Sequence, residues 1–172
     1  MAFITVSNNV ISFAEYSDVT ARDQRLFEAN EGLTETVIED MLERSTTRLL
    51  YLIRDTDWWK GYYIRQSGTN VNIFTGGTIS VPLPDANKIK ARQDDFTDLC
   101  VSYALSEYIY PKIADFSNAD NAEKYKIGLY NEKYRSMFEE LINSGDWYDF
   151  DSSGTIAASE KMPTRINIVR AR

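Results

Sequence analysis

The chain has 172 residues, with no histidine and a single cysteine, Cys100. The usual zinc sites, and nucleophiles activated by imidazole, need residue types that are therefore missing. The lone thiol has no internal disulfide partner, and its apolar helical surroundings mark it as a small buried hydrophobe. What remains is carboxylate chemistry, for which paired acids could serve as acid and base or hold a hard cation. The adjacent pairs Asp94-Asp95 and Glu139-Glu140 read as solvated helix faces, the first also suiting a helix N-terminus. No carboxylate spacing is read as a catalytic or metal site. The expectation is a non-enzyme, with no catalytic residue, metal or cofactor.

The elements that would position any site are mostly helical. The first helix is expected to open within Val10–Glu15, with Ser12 and Glu15 spaced as a capping box. Leu26 and Phe27 come next as a buried pair. Thr34 is a candidate N-cap for a longer helix that runs to about Arg54. Along it Val37, Ile38, Leu42, Ser45, Leu49 and Leu52 recur at three-and-four spacing. A third helix spans about Ala91 to Tyr110 and is stopped or kinked by Pro111. A fourth covers about Ala122 to Ser144, with Tyr125, Leu129, Tyr130, Tyr134, Met137, Phe138 and Leu141 as its apolar stripe and Gly145 as its stop. The bundle is expected to bury Val37, Leu42, Leu49, Leu99, Tyr103, Tyr134 and Phe138.

Between the second and third helices the pattern changes. Trp58, Trp59, Tyr62 and Tyr63 crowd one short stretch, and adjacent aromatics cannot all face one core. They are candidates for an interface, where aromatics are enriched, or for packing beneath a neighbouring hairpin. That hairpin is expected at about 70–82, where Gly76-Gly77 separates two β-prone runs. Ile73, Phe74, Gly76, Gly77 and Ile79 would make its contacts.

Beyond Gly145 helical periodicity ends. Residues 146–151 are acidic and aromatic, and Ser152-Ser153-Gly154 reads as a flexible join. Residues 1–151 would form one helical domain and 152–172 an extended arm. After Glu160 the arm carries Lys161, Arg165, Arg170 and Arg172 and no acid, a charge of +4. The whole chain is −7, so the body carries −11. Met162, Ile166, Ile168 and Val169 give the arm an apolar side. An extended segment of this kind can dock along a partner through Met162, Arg165, Ile166, Ile168, Val169, Arg170 and Arg172. The acidic body disfavours general nucleic-acid binding. The N-terminus lacks the basic and apolar regions of a secretory signal, and no apolar run approaches a membrane span.

Two stretches resemble a family. One is Leu33-Thr34-Glu35-Thr36-Val37-Ile38-Glu39-Asp40-Met41-Leu42-Glu43-Arg44-Ser45. The other is Phe96 to Tyr110 with Pro111, followed by Lys124-Tyr125 through Leu141. Their order is similar to the head–tail connector, or head-completion adaptor, proteins of long-tailed bacteriophages. The likeness covers roughly the middle two thirds of the chain, and helical patterns carry it. The residues point to a mainly α fold, a bundle of about four helices with an inserted β-hairpin and an extended C-terminal arm; the resemblance implies a helical core with a long loop or hairpin between central helices and an extended C-terminal segment. It implies a structural protein of the virion, assembled in host cytoplasm and placed at the head–tail interface. Such adaptors form a ring, usually dodecameric, on the portal protein and bind a stopper or tail-completion protein. Double-stranded DNA would be passing cargo, and no membrane is involved. A tail-side neck or tail-completion protein is the nearest alternative, and a non-viral helical protein-binding domain is another.

Overall fold

Val6-Ser7-Asn8-Asn9 makes the first turn of the chain, with φ of 51° at Ser7 and 66° at Asn8. Positive φ at both central residues is the signature of a tight hairpin turn, and Asn tolerates it well. In this computed structural model, which describes residues 3–24, 26, 32–68, 80–117 and 122–163, strands β1 (Ile4–Val6) and β2 (Asn9–Ser12) pair antiparallel around that turn. The chain is otherwise mainly helical, as expected. The hairpin expected at 70–82, with Ile73, Phe74, Gly76, Gly77 and Ile79, lies outside the described residues.

The early helix is displaced from its expected start. Ser12 ends β2, and α1 spans Tyr16–Arg22. Its N-terminal box uses Glu15, whose N–H donates to the Asp18 carboxylate at 2.9 Å. The Ser12 hydroxyl instead bonds Ala14. The expected box is right in kind and three residues out of register.

Helix α2 (Glu35–Asp55) begins as expected, with Val37 N–H meeting the Thr34 hydroxyl at 3.4 Å. A second helix that periodicity does not foretell, α3 (Asp57–Ser67), starts after one residue. Thr56 both ends the one and caps the other: its hydroxyl donates to Ile53 O at 2.6 Å and accepts from Trp59 N–H at 3.1 Å. Helix α4 (Gln93–Ala104) widens into a π turn, Leu105–Ile109, and resumes as α5 (Tyr110–Ile113). Pro111 has no N–H to give the preceding turn, and the wider π turn lets the chain stay helical through it. Helix α6 spans Ala122–Ser144. No helix among the described residues is long and apolar enough to cross a membrane.

The chain forms two units, each assembled from two stretches: residues 1–49 with 93–138, and 50–92 with 139–172. In the first unit the core holds Phe3, Phe13, Val19, Leu26, Leu33, Ile38, Leu42, Leu49, Phe96, Leu99 and Cys100. Phe13 lies 5.3 Å from Phe96 and 4.7 Å from Phe3, ring centre to ring centre. Its backbone is gripped from two helices. Thr46 Oγ1 on α2 accepts its N–H at 3.0 Å, and Thr97 Oγ1 on α4 donates to its carbonyl at 2.7 Å. Of the seven positions expected inside the bundle, Leu42, Leu49, Leu99 and Tyr103 are buried, while Val37, Tyr134 and Phe138 are half-buried.

A polar clamp ties α1, α5 and α6. The Asp23 carboxylate accepts from the Tyr110 hydroxyl and from Lys126 Nζ. Lys126 also stands 5.3 Å from the centre of the Tyr110 ring. Burial, reinforced by Asp23, holds the Tyr110 phenol protonated well above its ordinary range. Arg22 pairs with Asp98 beside it.

In the second unit α3 packs against two distant stretches of the chain. The stretch before α4 and the stretch after α6 meet in an isolated bridge, Ile89 with Tyr148. Lys90 N–H donates to Trp147 O, and Asp149 N–H to Lys88 O. Trp59 packs edge-on against Tyr148 at 4.9 Å, and Trp58 lies 5.1 Å from Trp147. The chain's three tryptophans all stand here. Each indole N–H finds a backbone carbonyl: Trp58 to Met162, Trp59 to Pro82 and Trp147 to Leu141. Aromatic rings buried with their polar edge satisfied contribute area and geometry without an unmet donor.

Candidate interaction surfaces and the loop after α6

The outer side of α6 carries an apolar pair one turn apart, Tyr125 at 71% and Leu129 at 61% exposure. Sequence periodicity places both in the core stripe, and the structure does not. Tyr130 and Leu141 of that stripe are buried, and Tyr134, Met137 and Phe138 are half-buried. Tyr125 lies about 140° around the helix from Tyr130, at about 100° per residue, so one face cannot hold both. Phe116 is also 62% exposed, with Lys124 Nζ bonded to its carbonyl and standing 5.7 Å from its ring centre. Large apolar side chains grouped on a surface mark interaction sites more often than scattered ones.

The aromatic run expected at an interface stands differently. Trp58, Trp59 and Tyr62 are buried within the chain, and Tyr63 is half-buried. Trp147, Tyr148, Met162 and Pro82 of the same chain contact these rings, which resolves the conflict of adjacent aromatics on one helix. Burial also raises the acidity threshold of two tyrosines here: Tyr148 to about 12, and Tyr62 well above its ordinary value.

The flexible join expected at Ser152–Gly154 is instead a bonded loop. The Asp149 carboxylate accepts the N–H groups of Ser153 (3.1 Å) and Gly154 (2.8 Å). Asp151 also accepts from Ser153 N–H at 2.9 Å. Glu160 accepts from Phe150 and Asp151 through Oε1 and from Ala157 through Oε2. Asp149 is 0% and Glu160 4% exposed. Ionised carboxylates receiving several backbone N–H groups organise a loop as a metal or a disulfide would. Arg65 and Gln66 of α3 both donate to Ser159 O, at 2.7 and 2.8 Å.

The arm therefore does not start at 152. Met162, placed on the docking arm by sequence, is held by its backbone: its N–H donates to Gly145 O at 2.8 Å and its carbonyl accepts the Trp58 indole at 2.8 Å. The two bonds flank a close approach to Gly145, whose φ is +54°. Residues Arg165, Ile166, Ile168, Val169, Arg170 and Arg172 lie outside the described residues. Whatever they contact, their departure point is fixed beside Gly145 and Trp58.

Sequence reasoning misses one feature of this loop although its signal is legible. The acids of positions 149, 151 and 160 bring one oxygen each within 4.8 Å of one another, the only such group of three found among the described residues. Their spacing, Asp-x-Asp-x-Ser-Gly followed by five residues and Glu, is a recognisable carboxylate pattern. The Ser-Ser-Gly composition suggests flexibility and hides it.

Compared with known proteins, the chain matches no family model, no curated protein and no solved structure.

Proposed function

We propose that the chain is a structural virion protein, a ring-forming adaptor that links the portal of a phage head to the tail or stopper and extends the DNA channel. The observation that carries this reading is the surface of α6, where Tyr125 and Leu129 present apolar area that the chain leaves uncovered. Copies of the chain side by side in a ring bury such faces against one another, as homo-oligomers do. Two further features support it. The sequence order of the helical stretches Leu33–Ser45, Phe96–Tyr110 and Lys124–Leu141 resembles that of head–tail connector proteins. The charge is split between an acidic body and a basic segment after Glu160, which suits DNA sliding past one part and protein docking at the other.

The test is the mass of the purified chain in solution, alone and mixed with a phage portal protein, followed by low-resolution imaging of the mixture. A ring seated on the portal is the expected result. A monomer or dimer that ignores portal removes the adaptor reading and favours a free protein-binding domain.

A further inference from the structure

Residues 149–160 read Asp-Phe-Asp-Ser-Ser-Gly-Thr-Ile-Ala-Ala-Ser-Glu. We propose that this twelve-residue loop binds a calcium ion. The inference is independent of the adaptor reading.

Two observations that do not depend on each other carry it. The first is the linear spacing. Calcium loops of the EF-hand type place oxygen ligands at positions 1, 3 and 5, a backbone carbonyl at 7, a water-mediated ligand at 9 and a bidentate Glu at 12, with Gly at 6. Here Asp149, Asp151 and Ser153 fill the first three positions, Gly154 the sixth and Glu160 the twelfth. Position 8 is the aliphatic Ile156. Ser153 supplies a hydroxyl where Asp or Asn is commoner, and Ala157 at position 9 leaves its ligand to water. A cluster of acids formed for solvation alone has no reason to keep Gly, an aliphatic residue and Glu in this register.

The second observation is charge. Three carboxylates converge within 4.8 Å, two of them fully or almost fully buried. Among the described residues, no Lys or Arg makes an ion pair with any of the three. The Lys88 ammonium donates to the Phe150 carbonyl at 2.7 Å. Carboxylate oxygens gathered in this register are hard donors of the kind a divalent cation takes as ligands.

The backbone already has the ligating arrangement. Gly154 adopts φ +88°, the sharp turn required at position 6. Each Asp149 oxygen accepts one N–H, and a carboxylate oxygen has a second lone pair to give. Glu160 Oε2 accepts one N–H, from Ala157, and keeps a lone pair for the ion, while Oε1 already accepts two, from Phe150 and Asp151, and would release one on bidentate binding. The Ser153 hydroxyl points its hydrogen at the Thr155 carbonyl, 2.9 Å away, so the fifth and seventh ligands are neighbours. All donors are hard oxygens and no thiol or imidazole is present, which selects Ca²⁺ over zinc and copper. A loop that supplies irregularly placed oxygens suits the adaptable coordination of Ca²⁺ better than the smaller, strictly octahedral Mg²⁺.

Calcium would also act on the segment beyond the loop. Glu160 is two residues before Met162, whose backbone is fixed to Gly145 and Trp58. Holding the loop closed holds the point from which the basic segment departs.

The test is titration of the metal-stripped full chain with calcium chloride by calorimetry, with magnesium chloride as the comparison. Terbium luminescence excited through the nearby aromatics gives a second readout. The expected result is one Ca²⁺ per chain with Kd of about 10⁻⁵–10⁻³ M, the weaker end of the range because only three ligands are charged. Magnesium should bind at least about tenfold more weakly. Asp149→Asn and Glu160→Gln should each weaken calcium binding by more than about tenfold. Asp151→Asn provides the same test from an exposed position, where loss of the fold is not at issue. A melting temperature that rises with calcium in the natural chain and stays flat in Asp151→Asn is a further expected result. No heat and no terbium signal at millimolar ion overturns the proposal. So does stoichiometric binding that survives Asp151→Asn and Glu160→Gln unchanged.

Discussion

A methyl group placed on Gly145 would collide with the carbonyl oxygen of Met162 and lie 2.6 Å from its carbonyl carbon. The contact is with backbone, so no side chain can turn aside to relieve it. The φ of +54° at Gly145 adds strain for any other residue. Gly145→Ala should destabilise the protein by about 1–3 kcal/mol or more, measured by urea unfolding. It should also speed tryptic cleavage after Lys161, because the Met162 anchor is what it displaces. A variant as stable and as resistant as the natural chain would mean that Met162 is not anchored there.

Two truncations separate the anchor from the segment beyond it. Removing residues 164–172 should leave the melting temperature nearly unchanged and weaken incorporation into portal-bearing heads. Removing residues 161–172 deletes Met162 as well, leaves the Trp58 indole without its acceptor, and should melt clearly lower. Changing Arg165, Arg170 and Arg172 to Glu should weaken docking more at low salt than at high salt, because exposed charges are screened beyond about 8 Å at physiological ionic strength. Equal melting of the two truncated chains contradicts the anchor.

Leu49 is fully buried in α2. Leu49→Ala should cost about 2–5 kcal/mol in urea unfolding, the transfer loss plus the cavity left behind. By contrast, Tyr125→Ser with Leu129→Ser should change stability by no more than about 0.5 kcal/mol per site. The double variant should sediment as a smaller species wherever the natural chain forms a ring. Unchanged assembly would remove the α6 face from the interface.

Alkaline pH should unfold the chain within a definable window. Burial pushes the Cys100 thiol from its ordinary value of 9.0 up to about 12, and the Tyr148 phenol from 10.0 to about 12. Both groups are neutral when protonated, and the folded chain keeps their protons where the unfolded chain gives them up. Their contribution is therefore fully present below pH 9 and is lost as pH rises toward 12. Unfolding midpoints should stay level through pH 8 as far as these groups are concerned and fall steeply above 10. Cys100 should react with iodoacetamide at pH 8 only after denaturation.

The parts of the fold that depend on periodicity are readable in the residues. The α2 helix begins at its Thr34 cap and ends one residue from its expected limit. The fourth expected helix coincides with α6. Periodicity cannot tell which side of α6 is covered, because a stripe containing Tyr125, Leu129 and Tyr130 is wider than one buried face. It cannot show that both Trp58 and Trp59 are covered, since covering residues are 80 or more positions away in Trp147, Tyr148 and Met162. At Ser152–Gly154, composition points to flexibility and spacing points to a ligand loop. The bonds of Asp149 and Glu160 to the loop's own backbone show that it is ordered, against the composition.

The interleaving of the two units governs the order in which the molecule can be made. Residues 1–49 emerge from the ribosome first, yet their core partners Phe96, Leu99 and Cys100 come only after the whole of 50–92 has been synthesised. Thr46 can grip Phe13 early, but the second grip from Thr97 arrives about fifty residues later, after a long chain closure. The tryptophans of α3 wait longer still, until Trp147 and Met162 appear. Neither unit can complete its core from one uninterrupted stretch, so fragments cut at 92 or at 138 would each carry half-formed apolar surfaces with a tendency to aggregate. The two cores of this chain are therefore completed late, and any partner that recognises its finished surfaces meets it only after synthesis has passed Met162.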